Sequence, residues 1–220
     1  CDQYDLLIKA WRAKQLGFRL MIDFHYSDNW ADPGKQDKPA AWSNLTFDEL
    51  KVAVASHTNE VLTRLKLNNI EPEWVQVGNE TGNGMLWPDG NATDNMAQYA
   101  QLSNAGYDAV KQVFPQAKVI VHIHKGNENN RFRWIFDGLK DNGGKWDMIG
   151  MSLYPTVDNL VAQSYDLISN MNDMVARYKT PVILCETGMP WDDEDTAFEY
   201  LNKLVIRCKA ISNSQCEGIL

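Results

Sequence analysis

The sequence has no excess of positive charge. Its 220 residues carry 21 Lys and Arg against 29 Asp and Glu, a formal net charge of −8. A nucleic-acid-binding surface needs a basic stripe to neutralise phosphates, and none is present. No apolar run approaches the roughly 20 residues that cross a bilayer as a helix. The four cysteines, Cys1, Cys185, Cys208 and Cys216, show no CxxC spacing. That excludes a zinc ribbon and a dense disulfide framework, and leaves Cys208 and Cys216 either to pair or to remain thiols. No GxGxxG or GxxxxGK[ST] loop follows an apolar run, so a nucleotide-binding α/β fold would have no phosphate cradle. Linkers, repeats and low-complexity stretches are also missing, and residues 1–220 read as a single domain.

What is present is an alternation. Short apolar runs occupy Phe18 to Phe24, Trp74 to Val77, Val119 to Ile123, Met148 to Leu153 and Val182 to Cys185, with an unfinished one at Gly218 to Leu220. Runs of this length with little polar interruption suit strands of a parallel sheet buried on both faces. Between them lie segments with apolar residues every three or four positions. Phe47 to Leu67 carries Leu50, Val54, Val61 and Leu65, and Asn95 to Val113 carries Tyr99, Leu102, Gly106 and Val110. That is helical spacing. Tyr4 to Gln15, Arg131 to Asp141, Asn159 to Tyr178 and Asp195 to Ile211 complete the set of predicted helices. Alternating helices and strands imply a parallel sheet with helical crossovers, either open or closed into a (β/α)8 barrel.

Ionisable residues gather where the apolar runs stop. The ends read Asp23-Phe24-His25-Tyr26-Ser27-Asp28, Gly78-Asn79-Glu80, His122-Ile123-His124, Ser152-Leu153-Tyr154-Pro155 and Cys185-Glu186-Thr187-Gly188. In barrels, chemistry sits at these C-terminal strand ends. Glu80 and Glu186 form a candidate pair. Glycoside cleavage needs one carboxyl to protonate the leaving oxygen and a second to attack the anomeric carbon or activate water. A glutamate capping a turn is the alternative for either residue alone. His122 and His124 point the same way by strand alternation, as metal ligands would. A catalytic metal needs about three protein ligands, and of the two remaining histidines His57 falls within a helix, so no metal is assigned.

The motifs resemble the retaining barrel glycosidases, in which an Asn-Glu and a second Glu follow barrel strands four and seven. The run from Asp23 through Asp28-Asn29-Trp30-Ala31-Asp32-Pro33-Gly34-Lys35-Gln36, with Pro39 and Trp42, is similar to one family in particular. So are Trp74 to Glu80 and Gly84-Met85-Leu86-Trp87-Pro88. That family is the arabinogalactan endo-β-1,4-galactanases, glycoside hydrolase family fifty-three. The resemblance implies a (β/α)8 TIM barrel, here incomplete, with strands three to seven and the start of eight. The chain is then expected to be one catalytic domain truncated at both ends. It implies retaining endo-hydrolysis of β-1,4-galactan, the side chains of pectin, with Glu80 as acid/base and Glu186 as nucleophile.

The same resemblance implies that Asn79 bonds the sugar 2-hydroxyl and Tyr154 orients the nucleophile. His25, Asp23 and one of His122 or His124, with His122 preferred, are expected to line the sugar site. Ser-Leu-Tyr-Pro departs from the family's Ser-Tyr-Tyr-Pro at Leu153. Trp30, Trp42, Trp87 and Trp191 lie in loops after strands, where an indole either stacks on a pyranose face or packs the loop. Asp32 and Gln36 are expected to anchor the long loop. The acidic cluster at Asp192, Asp193 and Asp195 suits a helix N-terminus better than a calcium site, so no cofactor is expected. The expected partner is polysaccharide, with no nucleic acid and no membrane span. The protein is expected to be a monomer, secreted or held at the cell surface. A mannanase, cellulase or β-galactosidase of the same clan, a non-catalytic carbohydrate-binding barrel, and a metal-dependent barrel hydrolase are the alternatives.

Overall fold

A computed structural model describes residues 3–190, 192–212 and 215–220. Cys1 and Trp191 lie outside the described residues. The elements run α1 (Gln3–Gln15), β1 (Met21–Phe24), α2 (Phe47–Leu67), β2 (Trp74–Val77), β3 (Gly84–Met85), β4 (Gly90–Asn91), α3 (Ala92–Val113) and β5 (Lys118–Ile123). They continue with α4 (Asn129–Asp141), β6 (Met148–Leu153), α5 (Leu160–Tyr178), β7 (Val182–Thr187), α6 (Glu194–Lys209) and β8 (Cys216–Ile219). Six strands form one sheet in the order β1-β2-β5-β6-β7-β8, and every neighbouring pair is parallel. The sheet is part of a (β/α)8 barrel. The small β3–β4 hairpin stands apart as a second sheet.

The helices start and pack as their sequences dictate. Thr46 and Glu49 close a capping box at the head of α2, Thr46 N donating to Glu49 Oε2 at 2.8 Å and Glu49 N to Thr46 Oγ1 at 3.4 Å. Such a cap is worth about 1 kcal/mol. The predicted stripe of α2, Leu50, Val54, Val61 and Leu65, is buried. Asp193 caps α6 by accepting from Thr196 N at 3.2 Å, so the acidic cluster serves the helix start at that residue. Cys185, Cys208 and Cys216 are free thiols.

Two separate cores explain the strands. The larger lies between sheet and helices and includes Val75, Val77, Val119, Val121, Ile149 and Leu184. The smaller lies inside the curl and consists of Trp74, Ile120, Met148, Ile183 and Cys185, with Met21 against it. Successive residues of a strand face opposite sides, so the apolar runs divide between the two cores. On the inner face one further step along β1, β2 and β5 brings Asp23, Gln76 and His122 in place of Met21, Trp74 and Ile120. On β6 the polar level is reached at Ser152. The barrel floor is thus apolar and its upper layer polar.

Strand β1 is shorter than the apolar run suggested. Phe18 is 65% exposed, and Arg19 leaves the strand to pair with Glu73 and lie over the Trp74 ring, 4.3 Å from its centroid. The β3–β4 hairpin was not legible because each arm is two residues long.

Candidate active site

Glu80 reaches the barrel mouth on a tight turn after β2. Gly78 has φ +85°, and a Cβ there would come within 2.6 Å of Thr81 Cγ2, so only glycine fits. Glu80 itself sits in the left-handed region at φ 49°, which a residue with a Cβ enters only when neighbours hold it there. Three contacts do so. Gln36 Nε2 donates to Asn79 O at 2.8 Å, Asn79 Nδ2 to Ala31 O at 2.8 Å, and Thr81 N to His122 O at 2.8 Å. Gln36 also donates to Asp32 O at 3.0 Å, so these two residues tie down the long loop after β1.

Glu186 arrives by a different device. Strict alternation after Ile183 and Cys185, both in the inner core, would turn Glu186 outward. The β6–β7 register shifts between Met151 and Ser152, pairing Met151 with Leu184 but Ser152 with Glu186. This bulge adds one residue to β7 and resets its phase. Glu186 then faces the mouth, where the Tyr154 hydroxyl donates to its Oε2 at 2.8 Å. Burial and then the Glu186 carboxylate push the Tyr154 hydroxyl up, so it remains a donor.

The environment of Glu80 favours its acid form. Burial pushes the carboxyl above its ordinary 4.5, and the negative charges of Glu186, Asp32 and Asp23 add to the rise. Ser152 Oγ lies 2.6 Å from Glu80 Oε1, and which of the two carries the shared hydrogen depends on the protonation of Glu80. Ser152 Oγ also lies 2.6 Å from His122 Nε2, and His122 Nδ1 lies 3.2 Å from Asn79 Oδ1. Gln76 Nε2 donates both to Asn79 Oδ1 at 3.1 Å and to Asp23 Oδ1 at 2.7 Å.

His25 and Asp23 lie on one side of β1, as their spacing predicts, with His25 Nε2 3.2 Å from Asp23 Oδ2. Burial lowers the His25 pKa, but the Asp23 carboxylate outweighs it and the net direction is up. Trp30, 82% exposed, stands edge-on to His25 with ring centroids 5.2 Å apart. His124 lines, with Glu80, Ser152, Tyr154 and Lys125, a cavity of about 580 Å³.

The structure places three of the candidate sugar-site residues against protein partners. His122, expected to touch sugar, is fully buried and both its ring nitrogens face protein partners, so it stands behind Ser152. Trp42 packs against Tyr26 and His57, with centroids 6.3 and 6.0 Å away, and against the main core; it fills the loop. Trp87 donates Nε1–H to Asn83 O at 2.9 Å, and its backbone pairs with the Gln36–Asp37 segment, which anchors two loops together. Sequence reasoning missed Ser152 and Gln76. The signal for both was a polar residue inside an apolar run. Among the described residues no group of three or more His, Cys, Asp or Glu could hold a metal ion, and no helix is long and apolar enough to cross a membrane.

The chain is similar to known proteins over most of its length. An uncharacterized protein in the bgaB 5′ region of Niallia circulans is 37% identical over 198 residues, 87% of this chain and 53% of that protein. An arabinogalactan endo-β-1,4-galactanase of Thermothelomyces thermophilus is 32% identical over 193 residues, 85% of this chain and 57% of that one. The chain therefore spans about half the length of these curated relatives. The solved GH53 catalytic domain of Ignisphaera aggregans superposes with a TM-score of 0.89 at 32% identity, over 100% of this chain and 66% of that one. The description of glycosyl hydrolase family 53 matches residues 1–217, and the chain belongs to that family.

Proposed function

We propose that the protein cuts internal β-1,4-galactosidic bonds of galactan and arabinogalactan, the side chains of pectin, with retention of anomeric configuration. The observation that carries this reading is the convergence of two differently placed carboxyls. Glu80 is held toward its protonated form by burial and like charge, while Glu186 is fixed by a donated Tyr154 hydroxyl. One is suited to give a proton and the other to attack.

In the first step a carboxylate oxygen of Glu186 bonds to the anomeric carbon. The glycosidic C–O bond breaks, and Glu80 passes its proton to the departing oxygen. In the second step Glu80, now a carboxylate, takes a proton from water as that water attacks the same carbon. The bond to Glu186 breaks and Glu186 leaves as carboxylate. Asn79 has one amide hydrogen beyond the one given to Ala31 O, and we assign it to the sugar 2-hydroxyl. The exposed Trp30 ring beside His25 offers a stacking surface, with Asp23 holding His25 in place. A polymer that a cell must cut before uptake implies action outside the cytoplasm.

The test is hydrolysis of β-1,4-galactan against mannan and cellulose by the natural full-length protein, with Glu80→Ala and Glu186→Ala alongside. Galactan cleavage lost in both variants, with the β-anomer released first by NMR, is the expected result. Cleavage of mannan or cellulose instead would overturn the substrate. Release of the α-anomer would overturn retention.

A further inference from the structure

We infer that a one-way hydrogen-bond chain, Asp23–Gln76–Asn79–His122–Ser152–Glu80, holds a proton on Glu80 and makes Ser152 and His122 positioning residues for the acid. The inference rests on the role proposed for Glu80 above.

The argument is a count of protons. Asp23, an acceptor, receives a Gln76 amide hydrogen at 2.7 Å. That fixes which end of the Gln76 amide faces Asn79, and its second hydrogen goes to Asn79 Oδ1 at 3.1 Å. The Asn79 amide is fixed independently, because its Nδ2 donates to the Ala31 carbonyl at 2.8 Å. Asn79 therefore presents an oxygen to His122 Nδ1 at 3.2 Å. An oxygen acceptor there requires Nδ1 to carry hydrogen. Full burial keeps His122 neutral by pushing its pKa down to about 3, so it holds one proton and Nε2 is bare. A bare Nε2 at 2.6 Å from Ser152 Oγ takes the only hydroxyl hydrogen Ser152 has. The serine oxygen then meets Glu80 Oε1 at 2.6 Å as an acceptor. Only a protonated Glu80 can complete that contact.

The reversed arrangement leaves a defect. If Ser152 donated to an ionised Glu80, His122 would have to protonate Nε2 and turn a bare Nδ1 toward the Asn79 oxygen. Two acceptors would then face each other in a site where His122 and Ser152 have almost no access to water. An unsatisfied buried pair of this kind is costly. After Glu80 has given its proton to the leaving group, the same defect makes it a stronger base toward water. Both halves of the cycle benefit.

The chain and the simple contact predict opposite signs. A lone serine donor would stabilise the carboxylate, and Ser152→Ala would raise the pKa of Glu80. A one-way chain stabilises the acid, and Ser152→Ala lowers it. Among the described residues, the other ionisable groups acting on Glu80 or lining its cavity are Asp23 and Asp32 from β1 and its loop, with His25 paired to Asp23, and His124, Lys125 and Glu128 after β5. Tyr154 after β6 and Glu186 on β7 complete the set, and all stay unchanged in the test.

The experiment is the pH profile of kcat/KM on β-1,4-galactan for the natural full-length protein and its Ser152→Ala variant. The basic limb, which reports loss of the Glu80 proton, is expected to move down by about half to one pH unit. An unmoved limb or an upward shift would overturn the chain. Nitrogen-15 NMR of His122 in the unsubstituted protein needs no variant to fold. It should show Nδ1 protonated and Nε2 bare, and the opposite tautomer would overturn the proposal. Failure of the underlying reading looks different. Full galactan cleavage by Glu80→Ala would remove the acid the chain serves and overturn both.

Discussion

Tyr154→Phe should slow the second half of the proposed cycle more than the first. Tyr154 donates to Glu186 Oε2 at 2.8 Å. While Glu186 is an ester to the sugar it carries little charge. It regains full charge as it leaves, so the tyrosine contact strengthens along that step. Hydrogen bonds to charged groups contribute about 1.5–3 kcal/mol. Tyr154 is 60% exposed, water can replace part of what the phenol gave, and the lower end applies. The transition state has developed part of the charge, which leaves roughly 1 kcal/mol. That corresponds to about a five-fold loss in rate. The assay is steady-state hydrolysis of an aryl β-galactobioside with a good leaving group, for which departure of Glu186 limits turnover. The kcat value should fall about five-fold, KM should fall with it as the covalent intermediate accumulates, and kcat/KM should stay within about two-fold. A fall in kcat/KM equal to that in kcat would place the tyrosine's contribution in the first step and refute the reasoning. No change at all would refute the contact.

Glu80→Gln should abolish galactan cleavage yet stabilise the fold at alkaline pH. A carboxyl raised above 4.5 on folding favours the folded state only while protonated, and that contribution is lost as pH rises through the folded pKa. Thermal melts should therefore coincide near pH 4 and diverge in favour of the variant at pH 8; a variant less stable at pH 8 would contradict the burial argument. Gly82→Ala should cost about 1–3 kcal/mol, because its Cβ would lie 2.3 Å from His124 Cε1 and 2.5 Å from His124 Nδ1. Urea denaturation reads this directly, and an unchanged midpoint would mean that His124 moves freely. Trp30→Ala removes an indole that is 82% exposed, so stability should stay within about 0.5 kcal/mol while KM for galactan rises. An unchanged KM would take Trp30 out of the sugar site.

The sequence displayed the central strands because both faces of β2, β5 and β6 are buried, and it displayed Asp23 with His25 because they are two residues apart at the end of β1. It did not display the polar layer within the strands. Gln76 and Ser152 sit in runs where alternation is masked by apolar residues on both faces, and a single polar residue there reads as filler. His122 was legible as polar but not as buried, since depth depends on how far its strand extends relative to its neighbours. The phase of Glu186 was also hidden. Counting from Ile183 puts it on the outer face, and only the register shift opposite Met151 and Ser152 corrects the count.

The two carboxylates are thus aimed by irregularities, while the regular strands supply the rigid frame. For Glu80 the irregularity is a left-handed residue, which costs roughly 1–2 kcal/mol. The surrounding contacts offset that cost. Thr81 is fully buried beside it, its backbone N–H bonded to His122 O at 2.8 Å and its hydroxyl 2.7 Å from Tyr99 OH. The hydrogen bond to His122 O ties the Glu80 turn to β5, the strand that carries the His122 ring. Glu80 and the His122 ring therefore share one anchor, and a displacement of β5 relative to β2 would move them together. Among the described residues, Ser152, on β6, has no such backbone tie to the Glu80 turn and reaches it through its own 2.6 Å side-chain contacts. Its position is set by the bulged β6–β7 pairing, the same feature that turns Glu186 inward. The distance from Ser152 to Glu80 and the aim of Glu186 are consequently coupled: straightening that bulge would misplace Glu186 and break the contact to Glu80 in one motion.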